Sequence, residues 1–145
     1  MAREAEAQLG DALAEGIAVS TTAPVPPLAR VRALVAGHPI PDARGIAAAQ
    51  EVEALARGLG RDDLLLVLLS GGASSLLACP APGLTLDELA AATRVLLDAG
   101  AEIAEMNCVR KHLGALAGGR LARRAACARI ELLAVSDVPG DRLDL

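Results

Sequence analysis

Four short stretches of this chain hold the residue types that could do chemistry. The first is Ser70-Gly71-Gly72-Ala73-Ser74-Ser75, directly after an apolar run and before Leu76-Leu77. Glycines let the backbone approach an anion closely, and exposed N–H groups with serine hydroxyls can surround phosphate or carboxylate oxygens. A plain strand-to-helix turn explains the same residues equally well. The loop is not a Walker A motif, because no Gly-Lys-Ser/Thr follows, and it is not GxGxxG. Gly58 and Gly60 precede a predicted strand instead of following one, so they do not mark a dinucleotide site.

His38-Pro39-Ile40-Pro41-Asp42 sets a His and an Asp in a loop stiffened by two prolines. Rigid loops with polar tips often serve sites. Taken alone, however, the stretch reads better as structure, with Asp42 as the N-cap of the helix after it. Asn107-Cys108-Val109-Arg110-Lys111-His112 packs an amide, two cations and an imidazole into about one helical turn. Near the Gly-rich loop, Arg110 and Lys111 would offset phosphate or carboxylate charge. A basic helix end favoured by the helix dipole accounts for one of the two cations more readily than for both. Ser136-Asp137-Val138-Pro139-Gly140-Asp141 places two carboxylates in a turn. An Asp there could hold Mg²⁺ with nucleotide phosphates or act as general base toward a hydroxyl, and it also suits an ordinary turn.

Regular elements must carry these segments. Ala5, Leu9, Ala12 and Leu13 are spaced for a helix over 1–15 that stops at Gly16. Residues 17–21 read as a short strand, and 28–35 as an ambiguous segment with an edge strand as one option. Pro24, Pro26 and Pro27 break the chain between them. Residues 43–57 form a predicted helix. Leu64 to Leu69 is a continuous apolar run, the pattern of a strand buried on both faces. Thr85 and Glu88 make a capping box for a helix ending at Asp98 before Gly100. Helices are expected over 101–111 and 120–128, with Gly118-Gly119 as a break between them and a last strand at 130–135.

Strands alternating with helices imply parallel strands wrapped by helices. The expected fold is α/β, a Rossmann-like three-layer sandwich with a mostly parallel sheet, truncated at both ends. Open parallel sheets bind ligands beyond the carboxyl ends of their strands, where the loops at Ser70 and Ser136 sit.

Composition narrows the function. The 145 residues carry a net charge of −4 and no Phe, Tyr or Trp. Nucleic acid is therefore disfavoured, since neither dense cations nor stacking rings are available. An adenine ring, if bound, must rest on aliphatic side chains or backbone. No apolar stretch is long enough to span a bilayer, and the first residues do not form a secretion signal. Cys79, Cys108 and Cys127 are odd in number and widely spaced. They read as buried free thiols of a cytoplasmic protein.

Singly weak, the segments are specific in their order. His-Pro-x-Pro-Asp, Ser-Gly-Gly-x-Ser, Gly100-Ala101-Glu102-Ile103-Ala104-Glu105-Met106-Asn107 running on to Leu113, Gly-Gly-x-Leu-Ala, and Ser-Asp-Val-x-Gly-Asp together resemble the type II glycerate kinases. These are glycerate 2-kinases of the MOFRL group, often labelled hydroxypyruvate reductase. The resemblance runs over essentially the whole chain. It implies ATP- and Mg²⁺-dependent phosphorylation of glycerate at its 2-hydroxyl, in a cleft between a Rossmann-like domain and a smaller C-terminal MOFRL domain.

On that resemblance residues 1–145 are part of the N-terminal domain, without the MOFRL domain. Ser70, Gly71, Gly72, Ser74, Ser75, His38, Asp42, Asn107 and Ser136 become substrate or phosphate contacts. Arg110, Lys111 and Asp137 become catalytic groups, and Asp137 with Asp141 become Mg²⁺ ligands.

Some residues depart from the family pattern. Ala73 replaces a glycine, Ser75 a small apolar residue, Gly114 a frequent serine and Ala117 a lysine. The family's Gly-Lys-Ala turn would fall before Met1, and its Gly-Pro-Thr loop after Leu145. Half a cleft should be nearly inert, because phosphoryl transfer needs positioning and charge from several sides. A non-catalytic small-acid or nucleotide-binding module is the second expectation. A hydroxypyruvate reductase is the third, against which stands the missing dinucleotide fingerprint. A truncated sheet would also leave an edge and an apolar face open to self-association.

Overall fold

The computed structural model describes residues 1–135, apart from the side chains of 73 and 74. Its elements run α1 (Ala2–Leu9), a 3₁₀ turn (Gly10–Ala12), β1 (Gly16–Ser20), β2 (Val31–Val35), α2 (Ala43–Gly58), β3 (Leu64–Leu69), α3 (Ala73–Leu76), α4 (Leu86–Asp98), α5 (Ile103–Leu113), α6 (Arg120–Arg124) and β4 (Arg129–Ala134). None of these helices is long and apolar enough to cross a membrane.

Both described strand pairs are parallel, as the alternation of elements predicts. β1 pairs with β2 from Gly16↔Val31 to Ser20↔Val35, and β3 with β4 from Leu64↔Arg129 to Leu69↔Ala134. The described strands thus form two two-stranded sheets. The ambiguous 28–35 segment is resolved as β2. Its start is held by Glu6 of α1, whose carboxylate accepts the backbone N–H groups of Ala29, Arg30 and Val31. Those bonds pull the Glu6 carboxyl below its ordinary pKa.

Two helices end earlier than expected. The first helix ends at Leu9, because Gly10 takes φ 51° and stops it a turn and a half before Gly16. α6 ends at Arg124, since the chain must turn by Arg129, whose N–H bonds the Asp63 carbonyl to open β4. The predicted strand burial fails too. β3 is half-buried along most of its length and Leu64 is 53% exposed, because a strand in a two-stranded sheet is flanked on one side only.

The most deeply buried side chains are small, with Leu76, Leu89, Met106 and Leu116 buried beside them. Ala48, Ala49 and Ala56 of α2 are almost wholly buried, as are Ala36, Ala78 and Ala125. α2 packs against β1, β2, α3 and α6. Gly45 lets it approach closely: a Cβ there would lie 3.0 Å from both the Ala78 Cβ and the Leu76 carbonyl. α4 opens as the sequence predicts, with Thr85 Oγ1 accepting from the Glu88 N–H and Glu88 Oε2 accepting from the Thr85 N–H.

Candidate functional site

Both sheets end their strands together. The Ala36 N–H bonds the Ser20 carbonyl beyond β1–β2, and the Val135 N–H bonds the Leu69 carbonyl beyond β3–β4. The loop 37–42 leaves β2 at its carboxyl end, and the loop 70–72 leaves β3 at its carboxyl end. The two loops touch. Gly72 has φ 84°, and a Cβ built on it would meet the His38 ring at 2.9 Å. A glycine is required there both for the left-handed backbone and for the imidazole lying against it.

Asp42 is the N-cap that its position suggests. Its carboxylate accepts from the Gly45 N–H at 3.1 Å and from Arg44 Nε at 2.8 Å. The Arg44 bond, helped by the Gly45 and Gly37 amides, holds the Asp42 carboxyl below its usual range. The prolines and this cap fix the loop that presents His38.

α5 brings the third component. Its end is docked on the segment after α3 by two backbone bonds, Ala81 N–H to the Leu113 carbonyl and Ala115 N–H to the Cys79 carbonyl. Arg120 closes the turn beyond it, with Nη1 donating to the carbonyls of Lys111, Gly114 and Ala117. Gly118 and Gly119, at φ 59° and 80°, form the expected break and set Arg120 in place.

Arg110, on the inner face of α5, is only 9% exposed. Among the described residues its guanidinium makes one hydrogen bond, a long contact of 3.4 Å from Nη2 to the Pro39 carbonyl. Among the described residues no carboxylate pairs with it, although six other arginines form ion pairs. Burial lowers its pKa, yet a guanidinium stays protonated. It faces a cavity of about 20 Å³ shared with Pro41, Ser75, Cys79, Leu89 and Thr93. That volume holds about one water or one oxygen-sized group.

The structure therefore gathers His38, Gly72, Ser75 and Arg110 at the strand ends. Ser70 and Gly71 lie exposed on the same loop. Asn107 is exposed one turn back from Arg110, and Lys111 is half-buried beside Gly118. His112 turns away, its Nδ1 2.7 Å from the Cys108 carbonyl. Ser74's side chain and Ser136, Asp137 and Asp141 lie outside the described residues. The expectation of buried thiols is corrected: Cys108 and Cys127 are exposed, because both sit on outer helix or turn surfaces, and Cys79 is half-buried. Burial raises the Cys79 pKa, with Glu53 adding to the effect.

Sequence reasoning missed Thr93 and Arg120. Thr93 stands one turn after Leu89 on the apolar side of α4, so the helical spacing carried that signal. Arg120 had a weaker one, its place directly after two glycines.

Comparison with known proteins adds the family. The profile of a family described as a domain of unknown function, DUF4147, matches residues 1–145. A protein of Agrobacterium vitis with a provisional hydroxypyruvate reductase name is 46% identical over 97% of this chain and 32% of its own length. The D-glycerate 2-kinase of Thermotoga maritima is 41% identical over 100% of this chain and 35% of its own. The crystal structure of a glycerate kinase from the same organism superposes with TM-score 0.88 over 99% of this chain and 35% of that one. The chain thus spans about a third of the length of these relatives.

Proposed function

The chain belongs to the DUF4147 family, and on that premise we propose that it forms the acid-holding part of an ATP-dependent kinase that phosphorylates glycerate on its 2-hydroxyl. The observation that carries the reading is Arg110, a buried cation without an acidic partner among the described residues, at the carboxyl ends of parallel strands. Such a group favours an anionic ligand, and strand ends are where open α/β sheets bind theirs.

In this reading the 70–75 loop and His38 cover the ligand while Arg110 fixes one end of it. Orientation of this kind raises the rate of an in-line transfer by holding the reacting atoms in register. Mg²⁺ is assigned to Asp137 and Asp141 on the family resemblance alone. Among the described residues no three His, Cys, Asp or Glu side chains gather to hold a metal. The chain by itself is proposed to bind without turnover, because groups on one side of a cleft supply only part of the charge neutralisation.

Grafting residues 1–145 in place of the matching third of the Thermotoga maritima glycerate kinase tests the proposal. The chimera is expected to convert D-glycerate and ATP to 2-phosphoglycerate, identified by ³¹P NMR, while the chain alone gives no product. A folded chimera that transfers no phosphoryl group, or that reduces hydroxypyruvate with a nicotinamide cofactor, would overturn it.

A further inference from the structure

No residue of α1 is buried, and only Ala2, Ala5 and Glu6 are half-buried. Apolar burial therefore does little to hold this helix. Its eight residues are also too few for a helix to persist alone in water.

What fastens it is polar. The Glu6 carboxylate takes three consecutive backbone N–H groups: Oε1 accepts from Arg30 and Val31, each at 2.7 Å, and Oε2 from Ala29 at 3.1 Å. Hydrogen bonds to a charged acceptor are about twice as strong as neutral ones. Two further contacts join the same stretches of chain, Arg3 to the Pro26 carbonyl and Arg30 to Asp11. The second adds little, because the Asp11 side chain is 97% exposed and the pair is screened by water. Glu6 is the principal fastening.

The charges around Glu6 favour its ionised form. Arg3 acts from α1 itself. The others on the elements that meet here have partners of their own: Asp11 pairs with Arg30, Glu4 accepts from Gln8 at 2.8 Å, and Arg32 pairs with Glu51 of α2.

We propose that α1 is a latch: the Glu6 carboxylate, seated on the 29–31 amides, holds it closed, and loss of that charge lets α1 open while α2 and its packing stay folded. Opening frees three adjacent N–H donors at the start of β2, an arrangement that suits an oxyanion. The latch is independent of the kinase reading. Its response to pH follows from the backbone bonds, which favour the carboxylate and lower the Glu6 pKa from 4.5. The latch is fully held above 4.5 and lets go as pH falls through the lowered value.

Native-state hydrogen exchange of this chain, read residue by residue by NMR near neutral pH, tests it. The amides of Ala5 and Gly10, bonded to the Met1 and Glu6 carbonyls, report α1. Those of Ala29 and Arg30, both exposed residues, report the seat. Ala49 and Ala56 report α2. The first four amides should share one protection factor, lower than that of Ala49 and Ala56. Glu6→Ala should reduce those four together by about tenfold and leave Ala49 and Ala56 as they were. Alanine is the better helix former, so such a loss cannot come from propensity. Glu4→Gln removes the same charge from the same helix and should change none of the six.

Should Glu6→Ala fail to fold, the wild-type chain carries the second reading. On acidification its α1 and 29–31 amide shifts should move with the midpoint of the Glu6 side chain, below 4.5, before Ala49 responds. Protection of α1 equal to that of Ala49, 29–31 amides unmoved by Glu6→Ala, or an equal loss in Glu4→Gln would overturn the latch. So would acid shifts that arrive only with global unfolding.

Discussion

α2 and β4 are both rich in apolar residues, and the fold treats them in opposite ways. Ala48 and Ala49 of α2 are 1% and 0% exposed, pressed against strands and α3 by a glycine contact. Leu132 and Leu133 of β4 are 57% and 58% exposed, with Val135 beyond them at 62%. Larger and more hydrophobic side chains are the more open ones. Burial follows from what lies opposite a residue, and the small residues of α2 permit the close backbone approach that brings the 37–42 loop against the 70–75 loop.

The contrast is broken most severely at Ala49. Ala49→Leu should cost about 3 kcal/mol in urea unfolding, since a packed site cannot take three more carbons. Leu133→Lys should change stability by less than about 0.5 kcal/mol, as exposed positions do. We propose that the open apolar face of β4 also drives self-association, so Leu133→Lys should shift sedimentation toward monomer. At a concentration where the chain is monomeric, a loss at Leu133 as large as that at Ala49 would mean that β4 is covered within the chain itself.

Next in size is Gly72→Ala, expected to cost about 1–2 kcal/mol through its positive φ. It should also move the His38 ring resonances, because the new Cβ meets that ring; unmoved resonances would separate the two loops. Thr85→Ala removes the N-cap of α4 and should cost about 1 kcal/mol in urea unfolding.

The smallest effect is that of acid. Glu6, Asp42 and Glu88 all have lowered pKa values in the folded chain. Each carboxylate therefore contributes stability that is complete above its ordinary value of 4.5, or 3.8 for Asp42, and is lost as pH falls through its lowered folded value. The melting temperature should be flat above pH 5 on this account and fall below it. Glu6→Gln should flatten part of that slope.

Much of this was legible in the chain because it depends on local chemistry. The capping box at Thr85, the cap at Asp42, the helix break at Gly118-Gly119 and the spans of β3 and α4 follow from neighbours within four residues. The ordered motifs also pointed to the glycerate kinase family. The uncovered state of β3 and β4 was not legible, because an apolar run records what a strand can bury and not which elements lie over it. The burial of Arg110 was hidden for the same reason. Sequence shows Arg110 beside Lys111 as equivalent cations, and only the helix orientation buries the first and leaves the second half-exposed. Arg120's three carbonyl bonds depend on the path of a turn that spacing does not specify.

The central claim is that the buried guanidinium of Arg110 holds the acid. Its most direct test is steady-state kinetics of the chimeric kinase with and without Arg110→Met. Loss of a charge-assisted bond of about 2–3 kcal/mol should raise the KM for D-glycerate about 30- to 150-fold and leave the KM for ATP unchanged. A rise in the KM for ATP with glycerate unaffected would contradict it and move Arg110 to the nucleotide.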